Sequence, residues 1–132
     1  MGRDRKILCV DDDCDDRYLL SEAIKEVAPH LEVVEAENGL AALSILEEAK
    51  QSDSLPCLVV LDINMPLLDG RQTLDRIQKD VGLQNLNVVV FTSSENPNDN
   101  AFFKSKGVQF VTKPFDHHYF APIVKGFLNF CV

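Results

Sequence analysis

The chain has few basic residues, and this limits the partners that it can bind. Lysine and arginine total 13 against 21 aspartate and glutamate residues, which gives a net charge of −8, and the basic residues form no cluster. A nucleic-acid-binding surface needs clustered positive charge to neutralise phosphates. We therefore expect no direct binding to nucleic acid.

Long apolar runs are also missing. The longest are about five residues, whereas a membrane-spanning helix needs roughly 20. The N-terminus, MGRDRK, lacks the apolar core of a signal peptide. These absences predict a cytoplasmic protein that does not contact a membrane.

The four cysteines are too widely spaced to suggest a zinc site, because no two of them form a CxxC pair. Cys9, Cys57 and Cys131 lie in apolar runs, which predicts buried, reduced thiols. The three histidines, His30, His117 and His118, have no partner at metal-ligand spacing, so we expect them at the surface.

The apolar residues that are present follow the pattern of an α/β domain. At 132 residues and 45% hydrophobic content, the chain predicts one domain, 1–132, with a single core. Short apolar segments at 6–10, 32–36, 57–61, 87–91 and 109–112 predict strands, and each precedes a helical pattern. Five strands alternating with five helices predict a doubly wound parallel sheet with helices on both faces.

Local signals place several of the helices. Asn38 precedes a helical pattern as its cap, Asp69-Gly70 opens the third helix, and Pro97 begins the fourth helix. In that helix Ala101 and Phe102 are predicted to face inward, with Phe103 as spare apolar surface. The last helix should begin near residues 117–119.

Polar side chains follow four of the strands. Asp11 and Asp12 end the first strand, Asp62 the third, Thr92 the fourth and Lys113 the fifth. The carboxyl ends of parallel strands share one edge of the sheet, so these side chains should converge. Carboxylates ~4 Å apart repel by roughly 4 kcal/mol at an effective dielectric of 20, which favours a bound cation.

The chemistry of this cluster suits phosphoryl transfer. Oxygen ligands select magnesium or calcium, and magnesium commonly shares its coordination shell with a phosphoryl group. Lys113 would supply positive charge on another side of that group. A carboxylate such as Asp62, beside magnesium, a lysine and a hydroxyl, is a suitable phosphoryl acceptor.

These motifs resemble those of the receiver domain of two-component response regulators. The matching stretches are VDDD with Asp11 and Asp12, LDINMPLLDG around Asp62, FTSS with Thr92, and TKPF with Lys113. They stand in the family's order and span essentially the whole chain. The resemblance implies a flavodoxin-like (βα)5 fold of strand order 2-1-3-4-5.

The resemblance also implies how the site works. Asp62 would accept a phosphoryl group from a sensor histidine kinase or a histidine phosphotransfer protein. Mg²⁺ would be held by Asp12, Asp62 and the backbone carbonyl of Asn64, with Asp11 contacting it mainly through water. Lys113 would pair with the phosphoryl group.

Further residues are implied to transmit and time the signal. Thr92 would hydrogen-bond the phosphoryl group, and Phe110 would be the aromatic switch residue coupled to it. Asn64 and Ser94 would tune the lifetime of the phosphorylated state. A cis peptide bond is expected before Pro114.

The sequence ends soon after the fifth helix, so the expected role is that of a stand-alone module that binds a downstream protein. The face of the fourth helix, fifth strand and fifth helix, with Phe103 and Tyr119, is the predicted output surface, and phosphorylation-dependent homodimerisation is one use of it. The polar segment 51–56 is longer than in chemotaxis-type receivers and resembles that of receivers that work with phytochrome-type sensors.

Two alternatives stay open. A magnesium-dependent aspartyl phosphohydrolase would need a carboxylate two residues after the nucleophile as general acid, and Asn64 stands there. A degenerate receiver acting as a constitutive interaction module would lack one of Asp12, Asp62, Thr92 or Lys113, and all four are present.

Overall fold

A computed structural model of the protein describes residues 5–131, so residues 1–4 and 132 of the predicted domain lie outside the described part. The strands are β1 (Lys6–Val10), β2 (Glu32–Ala36), β3 (Leu58–Leu61), β4 (Val88–Thr92) and β5 (Gln109–Thr112). The helices are α1 (Cys14–Val27), α2 (Gly39–Gln51), α3 (Gly70–Lys79), α4 (Pro97–Ser105) and α5 (Phe120–Phe127). Short 3₁₀ helices flank α5 at His117–Tyr119 and Leu128–Cys131.

The strands form one parallel sheet in the order β2-β1-β3-β4-β5. This confirms the predicted fold class. The order reverses between β1 and β3, and that is the position where open α/β sheets bind ligands. No helix in the described part of the chain is long and apolar enough to cross a bilayer.

The sheet separates two apolar clusters, one on each face. One contains Ile24 of α1 and Val124 of α5, and in it the ring of Phe91 meets those of Phe120 and Phe127 edge-on at 5.2 and 5.5 Å. The other lies under α2, α3 and α4 and includes Leu46, Leu74 and Phe103. Because the central strands β1, β3 and β4 are covered on both faces, their sequences read as largely apolar runs.

The predicted helix starts are confirmed by their capping contacts. The side chain of Asn38 accepts a hydrogen bond from the Ala41 N–H, and Asp69 forms a capping box with Gln72. Pro97 occupies the first turn of α4, and Pro122 lies in the first turn of α5, where a missing N–H costs little.

The predicted orientation of α4 is wrong by one residue. Phe103 is fully buried, Phe102 is only partly buried and Ala101 is exposed. The Arg71 guanidinium lies 4.3 Å from the centre of the Phe102 ring, so a cation covers this ring instead of the core. Phe103 is therefore a core residue and not part of an output surface.

The prediction of reduced thiols is also wrong for two cysteines. Cys57 and Cys131 form a disulfide, with Cα atoms 5.2 Å apart and 74 positions apart in sequence. The 3₁₀ turn after α5 brings Cys131 back to the start of β3, a contact that spacing alone does not reveal. Cys9 is a buried free thiol, as predicted, and Cys14 is an exposed one.

The peptide bond before Pro114 is trans, because no peptide bond within residues 5–131 is cis. The expected cis bond is therefore absent. Trans is the ordinary form before proline, favoured by about 0.5–1 kcal/mol.

Candidate functional site

The polar residues predicted at the strand ends do meet at one edge of the sheet. Asp11 and Asp62 are buried, with 4% and 8% of their surface exposed, and Thr92 is fully buried. Backbone hydrogen bonds from the Asp62 N–H to the Val10 oxygen (3.0 Å) and from the Lys113 N–H to the Thr92 oxygen (2.6 Å) extend the strand ladders. The sheet therefore holds these residues in fixed positions.

The ammonium of Lys113 lies in the middle of the carboxylates. Its Nζ donates to Oδ2 of Asp11 at 2.6 Å and to Oδ2 of Asp16 at 2.8 Å, and lies 3.6 Å from Oδ2 of Asp62. The side chain is only 7% exposed. Burial opposes its charge, but the hydrogen bonds with Asp11 and Asp16 and the charge of Asp62 raise the pKa of Lys113 above its usual range.

Asp16 is a site residue that the sequence pattern did not reveal. It stands in the first turn of α1, where acidic residues commonly interact with the helix dipole. Helical side chains tilt toward the N-terminus of their helix. That tilt, together with the position of α1 directly after β1, is the signal that would have placed Asp16 at the strand edge beside Lys113.

The surroundings of Asp11 raise the pKa of its carboxyl group. Burial, followed by the charge of Asp62, raises the pKa of Asp11 to about 6, although Lys113 acts in the opposite direction. Independently of this shift, the four carboxylates of Asp11, Asp12, Asp16 and Asp62 outnumber the single lysine, so the cluster carries excess negative charge.

The geometry suits a small divalent cation. Asp11, Asp12 and Asp62 each offer a carboxylate oxygen, and these oxygens lie within 4.8 Å of one another. Asp12 is exposed, so the cluster opens to solvent on one side. An all-oxygen donor set with access to water and excess negative charge fits Mg²⁺.

The loop after β3 folds closely over Asp62. Oδ1 of Asp62 accepts a hydrogen bond from the Ile63 N–H at 2.8 Å, and the Gly70 N–H reaches the Ile63 oxygen at 2.7 Å. A Cβ atom on Gly70 would lie 2.4 Å from the backbone oxygen of Asp62. Gly70 is therefore needed for this close approach, while Asn64 is exposed at the mouth of the site.

Thr92 is connected to α3 and α4 through its own loop. The Ser94 N–H donates to Oγ1 of Thr92 at 3.3 Å, and the Ser94 hydroxyl donates to Oδ2 of Asp99 at 2.6 Å. Arg71 of α3 pairs with the other oxygen of Asp99. The hydrogen bond from Ser94, followed by that from Arg71, lowers the pKa of Asp99, and neither Asp99 nor Arg71 was predicted from the sequence.

Phe110 of β5 lies on the same side of the sheet as Thr92 of β4. In the pairing of β4 with β5, Phe110 is opposite Val90 and Thr112 is opposite Thr92. Side chains two positions apart on a strand share a face, so Phe110 and Thr92 emerge on the same face of the sheet. The Phe110 ring is partly buried, 6.1 Å from that of Phe103.

The chain is similar to known signalling proteins. The model of the response regulator receiver domain matches residues 7–125. Response regulator Rcp1 of Synechocystis is 35% identical over 95 residues, covering 70% of this chain and 65% of Rcp1. Protein PilH of Pseudomonas aeruginosa is 32% identical over 112 residues, which cover 84% of this chain and 87% of PilH. The chain spans only 14% of the sensor histidine kinase CheAY of Helicobacter pylori, to which it is 29% identical.

Solved structures of response regulators have the same fold as this chain. The phosphorylated cyanobacterial phytochrome response regulator RcpA superposes with a TM-score of 0.85 at 32% identity, covering 97% of this chain and 94% of RcpA. The Mn²⁺-bound form of Rcp1 superposes with a TM-score of 0.83 at 31% identity, covering 96% of this chain and 94% of Rcp1. The chain therefore belongs to the receiver domain family of two-component response regulators.

Proposed function

We propose that this receiver is switched by phosphorylation of Asp62, with a sensor histidine kinase or a histidine phosphotransfer protein as donor. The observation that carries the proposal is the contact of Asp62 with Lys113 at the sheet edge where Thr92 ends the neighbouring strand. The Lys113 ammonium lies 3.6 Å from the Asp62 carboxylate, and Thr92 ends the neighbouring strand β4. A nucleophile near a cation and a hydroxyl is suited to an in-line phosphoryl transfer.

In the proposed reaction a carboxylate oxygen of Asp62 attacks the phosphorus of a phosphohistidine. The new P–O bond forms as the P–N bond breaks, and the leaving imidazole takes up a proton at that nitrogen. The Ile63 N–H holds Oδ1 of Asp62 and so orients the carboxylate. Lys113 and the Thr92 hydroxyl then donate to the phosphoryl oxygens.

Asp11, Asp12, Asp62 and the backbone carbonyl of Asn64 are the proposed ligands of Mg²⁺. When bound, the ion neutralises charge on the phosphoryl oxygens. Oδ2 of Asp11 accepts a hydrogen bond from Nζ of Lys113 at 2.6 Å. This contact holds the lysine close to Asp62, with its Nζ 3.6 Å from Oδ2 of Asp62.

Phosphorylation adds charge at the sheet edge, and a two-state element must carry the change outward. Thr92 and Phe110, on one face of the sheet, are the proposed element. The proposed output surface is the α4–β5–α5 face with Tyr119, a residue that is 61% exposed, and it binds a downstream protein or a second receiver. Phe110→Ala should leave phosphorylation intact and abolish phosphorylation-dependent binding, measured by light scattering and pull-down.

We further propose that the donor kinase is of the phytochrome class. The relatives RcpA and Rcp1 support this, because RcpA is a phytochrome response regulator and both match nearly the whole described fold. A side-by-side phosphotransfer assay from a phytochrome-type kinase and a chemotaxis-type kinase tests the proposal. Faster labelling by the chemotaxis kinase would contradict it.

Acetyl phosphate and magnesium test the phosphorylation itself and separate the three functional classes. Stoichiometric labelling of Asp62 is the expected result, detected by mass spectrometry and lost in Asp62→Asn. Asp75→Asn is the matched control, since Asp75 lies on the surface of α3 and should label normally. Multiple turnovers of phosphate release would favour the phosphohydrolase, and no labelling would favour the constitutive module.

A further inference from the structure

The short loop between β5 and α5 brings together three metal-binding side chains that the sequence did not associate. Asp116, His117 and His118 each offer a donor atom, and the three atoms lie within 4.8 Å of one another. All three residues are exposed. His117 and His118 are at the surface, as predicted, but with Asp116 they offer donor atoms close enough together to share a metal ion.

The backbone explains how three consecutive residues converge. His117–Tyr119 form a 3₁₀ helix, and Asp116 caps it, which turns the Asp116 side chain back toward His118. The imidazole rings of His117 and His118 stack with centroids 4.4 Å apart. Oδ1 of Asp116 accepts from the His118 N–H at 2.9 Å and lies 2.7 Å from His118 Nδ1. Both contacts fall on Oδ1, so Oδ2 can take a further partner.

A second element, α1, brings two carboxylates to the groove that the two histidines line. His117 and His118 line a groove between α1 and the start of α5, and Glu22 and Glu26 of α1 line the same groove. Lys25 is the cation of that groove, and it pairs with Glu22 at 3.7 Å. The carboxylates outnumber the lysine, so the groove favours a cation.

We propose that Asp116, His117 and His118 form a binding site for a first-row transition-metal ion such as Zn²⁺, Ni²⁺ or Cu²⁺, completed by Glu22 or Glu26 or by water. Two imidazoles with a carboxylate are typical ligands of these ions, whereas the all-oxygen cluster at Asp62 suits Mg²⁺. The two sites therefore differ in the metal that they select. The proposed ion would also fix the loop that follows Lys113, because only three residues separate Lys113 from His117.

Calorimetric titration of the untagged chain with Ni²⁺ in excess Mg²⁺ tests the site. His117→Gln/His118→Gln should weaken Ni²⁺ binding by more than about tenfold, because loss of even a hydrogen-bonding partner of a metal ligand costs about 10–100-fold. Asp116→Asn, which keeps an oxygen to cap the 3₁₀ helix, should weaken it in the same direction. His30→Gln is the matched control, because His30 is exposed and lies after α1. Unchanged binding in the double variant, or an equal loss in His30→Gln, would overturn the proposal.

A spectroscopic measurement on the unaltered chain removes any dependence on how the variants fold. Cu²⁺ added at one equivalent in excess Mg²⁺ should give an electron paramagnetic resonance spectrum with nitrogen couplings from imidazole. A spectrum of oxygen ligands only would place the ion at the aspartate cluster and overturn the proposal. Either result leaves the proposed role of Asp62 unaffected, since that role does not depend on this second site.

Discussion

The hydroxyl of Ser94 donates to the carboxylate of Asp99 at 2.6 Å, and this contact ties the loop after β4 to helix α4. The Ser94 N–H also holds Oγ1 of Thr92. Movement of Thr92 toward a phosphoryl group therefore has to be accommodated by Ser94 and Asp99. The lifetime of the phosphorylated state should depend on this connection.

We predict that Ser94→Ala and Asp99→Ala each change the lifetime of the phosphorylated state, because both remove the hydrogen bond between Ser94 and Asp99. One lost hydrogen bond is worth about 1 kcal/mol, which corresponds to roughly a fivefold change in rate. Because neither Asn64 nor Ser94 is a general base, the phosphorylated parent should lose its phosphoryl group over seconds to many minutes. Loss of label after removal of acetyl phosphate measures the rate, with Asp75→Asn as control. An unchanged lifetime in both variants would contradict the prediction.

The raised pKa of Asp11 predicts a specific dependence of stability on pH. A carboxyl that titrates near 6 in the folded chain and near 3.8 in the unfolded chain holds its proton more tightly when folded. Its ionisation therefore lowers the free energy of unfolding as pH rises from about 4 to 6, by at most about 3 kcal/mol.

Urea unfolding of the parent and Asp11→Asn at several pH values measures this effect. The free energy of unfolding of Asp11→Asn, relative to that of the parent, should increase across that interval and stay constant above it. Asp62→Asn should lower the pKa of Asp11, because it removes the neighbouring negative charge. A pH-independent difference between the parent and Asp11→Asn would show that Asp11 is not perturbed.

Two glycines provide a matched test of the loop over Asp62. Gly70→Ala should lower stability and phosphorylation together, because the new Cβ would meet the Asp62 oxygen at 2.4 Å. Gly126→Ala, in α5, meets nothing within 4 Å, so it should raise stability by about 0.5–1 kcal/mol. Thermal unfolding and acetyl phosphate labelling measure both. Normal labelling in Gly70→Ala would mean that the loop adapts without moving Asp62.

Magnesium should raise the thermal midpoint, because it binds the folded carboxylate cluster and not the unfolded chain. At a concentration of 100 times Kd the gain is about 2.7 kcal/mol. Asp12→Asn should remove most of the gain and Asp75→Asn none of it. Equal gains in the parent and Asp12→Asn would exclude Asp12 as a ligand.

Much of this site could be predicted because it depends on strand ends. Asp11, Asp62, Thr92 and Lys113 each follow a recognisable apolar run, and a parallel sheet brings such ends to one edge. Contacts that depend on tertiary packing were not predictable. The inward direction of Phe103 depends on the exact rotation of a nine-residue helix.

Other contacts join elements whose separation in sequence carries no signal. The Cys57–Cys131 pair and the Arg71–Asp99 pair are of this kind. Asp16 could be placed only once α1 was known to start beside the strand edge. The grouping of His117 and His118 with Asp116 depends on a 3₁₀ turn, which sequence periodicity does not indicate.

Reduction of the Cys57–Cys131 disulfide should lower the free energy of unfolding by about 2–4 kcal/mol, because the released unfolded chain gains conformational freedom. Cys131→Ser should reproduce the loss and become insensitive to reductant. Cys14→Ser, at an exposed free thiol, should behave like the parent. Equal stability with and without reductant would argue that the bond does not form in solution.

The same disulfide divides the chain into a covalent ring and an open arm. Asp62, Thr92 and Lys113 lie inside the ring of residues 57–131, whereas Asp11, Asp12 and Asp16 lie on the arm. A cut at residues 93–96 would leave one covalently joined molecule, but a cut at 52–56 would release two. Asp11 and Asp12 would then be on one fragment and Asp62, Thr92 and Lys113 on the other, so we expect that neither fragment binds Mg²⁺ or a phosphoryl group as the whole chain does, and that mixing the two restores the site.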